Sequence, residues 1–98
     1  MKLSDTDIQA RLAERPGWTF DGDAIERTIV FDSFPDAIAF VTRLAFEAEA
    51  SDHHPDLSIS YRKVRVSWST HSESGVTEKD FKGAKQADQI AACLERTA

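Results

Sequence analysis

Two short runs near the middle of the chain constrain its fold more than any other feature. Leu57, Ile59 and Tyr61 alternate with Ser58 and Ser60; beyond Arg62-Lys63, Val64, Val66, Trp68 and Thr70 alternate with Arg65, Ser67 and Ser69. Successive side chains of a strand point to opposite faces, so each run has one apolar and one polar side. Neighbouring strands of this kind form an antiparallel hairpin with one face on a core and the other in water. Arg62-Lys63 is read as its tip, although it lacks the glycine that two-residue turns favour. The apolar face needs a cover.

Three amphipathic helices can supply it. Ser4-Asp5-Thr6-Asp7 is a capped start with Leu3 and Ile8 as a hydrophobic staple; Ile8 and Leu12 share a face, and Pro16-Gly17 ends the helix. Ser33-Phe34-Pro35-Asp36 opens a second helix, in which Ala37, Ile38, Val41, Leu44, Ala45 and Ala48 form an apolar stripe. Phe40 and Phe46 fall off that stripe, which assigns them to peripheral packing or a subunit contact. Thr77-Glu78-Lys79-Asp80 opens the third, with Phe81, Ala84, Ala87, Ile90, Ala91 and Leu94 on one side. Trp18-Thr19-Phe20, the turn Asp21-Gly22-Asp23 and the run from Ala24 to Phe31 make another hairpin. There Arg27 interrupts the side carrying Ile25, Ile29 and Phe31, as in a strand partly exposed or paired with another subunit. The order α-β-β-α-β-β-α predicts an α+β fold: a four-stranded antiparallel sheet with three helices packed on one face, in a single domain over residues 1–98.

The net charge of −5 argues against a nucleic-acid partner, because a phosphate backbone needs clustered Lys and Arg. Cys93 is the single cysteine, which fits a reducing compartment; on the third helix it is expected as a small buried or half-buried residue. Met1-Lys2-Leu3-Ser4-Asp5 carries no apolar leader and no run approaches a membrane span, so the expectation is a cytoplasmic protein without a membrane partner.

Chemistry points to the histidines. His53 and His54 are adjacent in Glu49-Ala50-Ser51-Asp52-His53-His54-Pro55, where the second helix should decay because the residue before a proline avoids the α region. The third, His71, closes the last strand-like run. An antiparallel sheet can bring all three to one rim. Imidazole, with an unperturbed pKa of about 6.5, offers both protonation states near neutrality. Three of them can bind a metal, share general acid and base work, or be plain surface groups, and the residue types leave these alternatives open. Glu49, Asp52 and Asp80 can favour the charged imidazole or fix its tautomer. Asp80 is equally explained as a helix-capping acid. Ser51, Ser69 and Ser72 lack a Gly-x-Ser-x-Gly setting, and no glycine-rich phosphate cradle exists. Trp18, Phe20, Tyr61 and Trp68 can wall a flat aromatic substrate.

Glu49, His53-His54-Pro55, Tyr61, His71 and Asp80, with the Thr70-His71 strand end and the Gly75-Val76-Thr77 lead-in to the last helix, resemble the signature of the pterin-4a-carbinolamine dehydratases. The likeness spans essentially the whole chain and is densest from Glu49 to Asp88; Leu57 departs from it, standing where many relatives carry a tryptophan. The resemblance implies the same α+β fold and a lyase that removes water from 4a-hydroxytetrahydrobiopterin to give quinonoid dihydrobiopterin, recycling the tetrahydropterin. It implies that the residues at His53 and His71 serve as acid and base while that at His54 mainly holds the substrate. The candidate catalytic set is therefore His53, His54 and His71. The candidate substrate-binding set is Glu49, Asp52, Pro55, Asp80, Trp18 and Thr70. No metal or organic cofactor is implied, and the expected partners are a small-molecule pterin and further copies of the chain in a homodimer or homotetramer. Two other readings are a non-catalytic interaction module on the same scaffold and a three-histidine zinc hydrolase.

Overall fold

The computed structural model describes residues 1–94. Its elements follow the expected order: α1 (Asp5–Leu12), β1 (Thr19–Asp21), β2 (Ala24–Val30), α2 (Phe34–Ser51), β3 (Asp56–Ser60), β4 (Lys63–Trp68) and α3 (Glu78–Leu94), with a 3₁₀ turn at His71–Glu73. The strands form one antiparallel sheet in the order β1-β2-β4-β3. Ile25, Ile29, Val64, Val66 and Trp68 on its inner face pack under Ala37, Phe40, Leu44 and Ala48 of α2 and Phe81, Ala84, Ala87 and Ala91 of α3. The caps form as the sequence requires: Ser4 Oγ accepts from Asp7 N at 3.1 Å, and Ser33 Oγ from Asp36 N at 3.2 Å. No helix among the described residues is long and apolar enough to cross a membrane.

Five local expectations are corrected. Phe40 is fully buried and packs against Phe31 with ring centroids 5.1 Å apart, whereas Ile38 and Ala45 are exposed. The buried stripe of α2 is thus rotated toward Phe40, because α2 rests on both α3 and β4; Phe46 points to solvent. Arg27 does not mark a strand that pairs with another subunit, since β2 is already paired on both sides by β1 and β4; the strand is partly exposed, as expected. The Arg27 guanidinium reaches Asp88 of α3 at 2.5 Å, and the same carboxylate takes Arg15 and the Trp18 indole N–H. Cys93 is exposed, off the stripe of Ala87, Ile90 and Ala91. The hairpin tip is Tyr61-Arg62 rather than Arg62-Lys63, since Ser60 pairs with Lys63. Tyr61 adopts the positive φ of 55° that glycine would usually supply there.

Candidate active site

The site is built around the first turn of α3. Thr77 is the N-cap: its Oγ1 accepts from Lys79 N at 3.2 Å, while Asp80, three residues on, accepts from Thr77 N through Oδ2 at 2.9 Å. Together these bonds close the helix start as a variant of the capping box, with Lys79 N in place of Asp80 N as the donor to the Thr77 hydroxyl. Asp80 Oδ2 also accepts from the Thr70 hydroxyl at 2.8 Å, and Thr70 Oγ1 lies 2.8 Å from Thr77 Oγ1. One carboxylate oxygen therefore ties the end of β4 to the start of α3.

The other oxygen is given to His53. Asp80 Oδ1 lies 2.6 Å from His53 Nε2, with the Asp80 side chain wholly buried and that of His53 14% exposed. His53 leaves α2 through Asp52, whose left-handed φ of 52° turns the chain sharply toward the sheet. Its ring then stacks on Trp68, centroids 5.4 Å apart and planes 18° from parallel. Gly83 on α3 makes room for that indole, since a Cβ there would stand 2.5 Å from the ring. Two contacts thus fix the imidazole plane and commit Nε2, leaving Nδ1 without a hydrogen-bond partner among the described residues. A carboxylate that accepts from Nε2 sets the tautomer in which Nδ1 exchanges protons.

His71 opens the 3₁₀ turn beyond β4 and is exposed. A bridge between Thr70 and Gly75 closes the base of this turn, with Thr70 N donating to Gly75 O at 2.9 Å, and Ser74 completes it at φ 57°. His54 is exposed beside the helix exit, its Nε2 2.8 Å from the Glu49 carboxylate. All three histidines line one open cleft of about 400 Å³, together with Asp52, Pro55, Asp56, Ser69, Thr70, Ser72 and Lys79. That volume falls within the range of small-molecule sites. No three His, Cys, Asp or Glu side chains among the described residues stand so that they could hold a metal ion.

The cleft gathers most of the residues singled out in the sequence. His53, His54, His71, Asp52, Pro55 and Thr70 line it; Asp80 supports it from beneath; Glu49 reaches it through His54. Trp18 is elsewhere. Its indole is bound to Asp88, two turns or about 12 Å further along α3 than Asp80. Tyr61 lies at the opposite end of β3. Trp68 is the aromatic residue that meets the site, as a plate beneath His53 rather than as an open wall. Sequence reasoning missed Lys79 and Asp56. Lys79 adjoins Asp80 on the first turn of α3, and Asp56 adjoins Pro55, so proximity to named residues was the available signal.

Known proteins resemble this chain over most of its length. A family model described as "Pterin 4 alpha carbinolamine dehydratase" matches residues 1–90. A Roseiflexus sp. (strain RS-1) protein named "Putative pterin-4-alpha-carbinolamine dehydratase" is 51% identical over 91% of this chain and 96% of its own length. A like-named protein of Chloroflexus aurantiacus is 48% identical over 91% and 96%. Among solved structures, a protein of Brucella melitensis described as "transcriptional coactivator/pterin dehydratase" superposes with a TM-score of 0.89 at 39% identity, covering 93% of this chain and 99% of that one. A "pterin dehydratase-like protein" described as a RuBisCO assembly factor in the alpha-carboxysome reaches a TM-score of 0.63 over 76% of this chain and 86% of that one. At 19% identity, that likeness bears on the fold alone.

Proposed function

The chain belongs to the pterin 4 alpha carbinolamine dehydratase family, and on that premise we propose that it dehydrates a 4a-hydroxytetrahydropterin to the quinonoid dihydropterin by histidine acid–base catalysis. The observation that carries this reading is His53 held by the buried Asp80 in a cleft shared with His71. An acid protonates the 4a hydroxyl, the C4a–O bond breaks as the N5 lone pair forms a C=N bond, water leaves, and a base removes a ring N–H proton. The proton given by one group is balanced by the proton taken by another. His53, exchanging through Nδ1, and His71 fill these two roles. His54, paired with Glu49, holds the substrate at the mouth of the cleft. Asp52, Pro55 and Thr70 bound the ring, and Asp80 acts through His53.

As part of the same reading the chain forms a homodimer or homotetramer in the cytoplasm. β3 is an edge strand, and Phe34, Ile38 and Phe46 are exposed on α2. Those same exposed side chains support the second reading, a non-catalytic interaction module. The two are separated by following dehydration of freshly generated 4a-hydroxytetrahydropterin by ultraviolet absorbance. Wild type should outpace buffer, and His53→Ala and His71→Ala should each slow it by about 10²–10⁴-fold. Folded wild-type protein that gives no acceleration would overturn the dehydratase reading, and partner binding altered by Phe46→Ser but by neither histidine change would favour the module.

A further inference from the structure

A second and smaller hollow, whose lining includes His53 but neither His54 nor His71, lies between the end of α2 and the start of α3. It encloses about 160 Å³ and is lined by Ser51, His53, Trp68, Lys79, Lys82, Gly83 and Gln86. It is less than half the size of the histidine cleft, about 160 Å³ against 400 Å³, which suits one compact group. It meets the histidine cleft at two shared walls, His53 and Lys79. A substrate seated in the cleft therefore has this hollow beside it.

The chemistry of its lining is one-sided. Lys79, Lys82, Gly83 and Gln86 follow at i, i+3, i+4 and i+7 and share one face of α3. Two ammonium groups, a hydroxyl and an amide line the hollow with no carboxylate among them, in a chain whose net charge is −5. The acids on the first turn of α3 are committed elsewhere: Glu78 to Arg11, and Asp80 to His53, Thr70 and Thr77. Neither Lys79 nor Lys82 has a carboxylate within 4.0 Å among the described residues. Trp68, which forms one wall, carries the one buried polar side-chain atom left without a partner among the described residues, its indole Nε1–H. A hollow of this size offering cationic and neutral donors suits an oxyanion.

We propose that this hollow is an anion subsite for the substrate's side chain, so that the preferred substrate is a tetrahydropterin whose C6 substituent ends in a phosphate or carboxylate. The inference rests on the dehydratase reading above and adds the substrate class. Lys82 is the specificity-determining residue, because it lines the hollow and not the histidine cleft. Lys79 faces both.

The test compares three 4a-hydroxytetrahydropterins that differ only in the C6 side chain: a neutral polyol, its terminal phosphate monoester and a carboxylate analogue. Wild type should favour one or both anionic forms in kcat/KM, and in Lys82→Gln the anionic-to-neutral ratio should fall about tenfold, through KM, as expected on losing one charge-assisted contact. Turnover of all three without preference, or a ratio unchanged in Lys82→Gln, would overturn the subsite while leaving the dehydratase intact. If none is turned over, the dehydratase reading fails and the subsite is judged by titrating inorganic phosphate against the indole N–H resonances. A Trp68 shift in wild type that is absent in Lys82→Gln, with the Asp88-bound Trp18 as internal reference, upholds an anion site; no shift overturns it.

Discussion

Asp80→Asn changes one atom type in a wholly buried group, and its consequences can be worked through atom by atom. Asp80 accepts three hydrogen bonds, from His53 Nε2, Thr70 Oγ1 and Thr77 N. The amide keeps one acceptor oxygen. If that oxygen stays on Thr70 and Thr77, both bonds survive as neutral ones, each weaker by about 1 kcal/mol than its charge-assisted counterpart. The amide NH₂ then faces His53 Nε2, which can accept only if the ring proton moves to Nδ1. Stability should fall by about 2 kcal/mol, a melting temperature lower by roughly 8–16 °C for a domain of this size. Nδ1 would also lose the lone pair that exchanges protons, and turnover per folded molecule should drop by about 10²–10⁴-fold. Thr77→Ala is the control. It removes the Oγ1 cap and costs about 1 kcal/mol but leaves Asp80 on His53, so its rate per folded molecule should stay within a few-fold of wild type. Thermal unfolding by circular dichroism gives the folded fraction, and the absorbance assay gives the rate. An Asp80→Asn protein whose rate falls only with its folded fraction would refute the role assigned to Asp80.

Three further changes separate scaffold from site. Asp88→Ala strips Arg15, Arg27 and the Trp18 indole of a shared acceptor and should cost about 2–4 kcal/mol in urea unfolding, with turnover per folded molecule preserved because the cleft is distant. Gly83→Ala drives a methyl into the Trp68 ring; it should lower stability by about 1–3 kcal/mol and slow the reaction as well, because the displaced indole carries His53 with it. Tyr61→Gly relieves a left-handed side-chain conformation at the hairpin tip and should raise the urea midpoint by up to about 1 kcal/mol equivalent without changing the rate.

The parts of the fold legible in the sequence were those set by local chemistry. Alternation fixed the strands, and Ser4, Ser33 and Thr77 fixed three helix starts, because a cap and its partner lie within three residues of each other. What could not be read depended on distant residues. Arg27 looked like a defect in a core face until Asp88, sixty-one positions away, was placed opposite it. Phe40 and Ile38 are both apolar and flank the same stripe; only the position of α2 against α3 and β4 decides which is buried. For Trp18 and Trp68 the residue type was informative but the location was not. One indole is bound to Asp88 and the other lies beneath His53.

The ambiguity at Asp80 had a different origin. Its position three residues after Thr77 suited a cap, and its proximity in the pattern to the histidines suited function, and both inferences are physically sound because a carboxylate has two oxygens. Oδ2 completes the capping box and grips Thr70, so it is engaged whenever α3 is folded onto β4. Oδ1 is then held in a fixed direction by groups that belong to the fold, and His53 meets it there. The precision of the site is inherited from the cap, without a separate framework around the imidazole. It follows that substitutions loosening the Thr70–Thr77–Asp80 junction should affect His53 in proportion to how far they move Oδ1. Loss of Oδ1 itself should leave the junction largely standing while removing the imidazole's support.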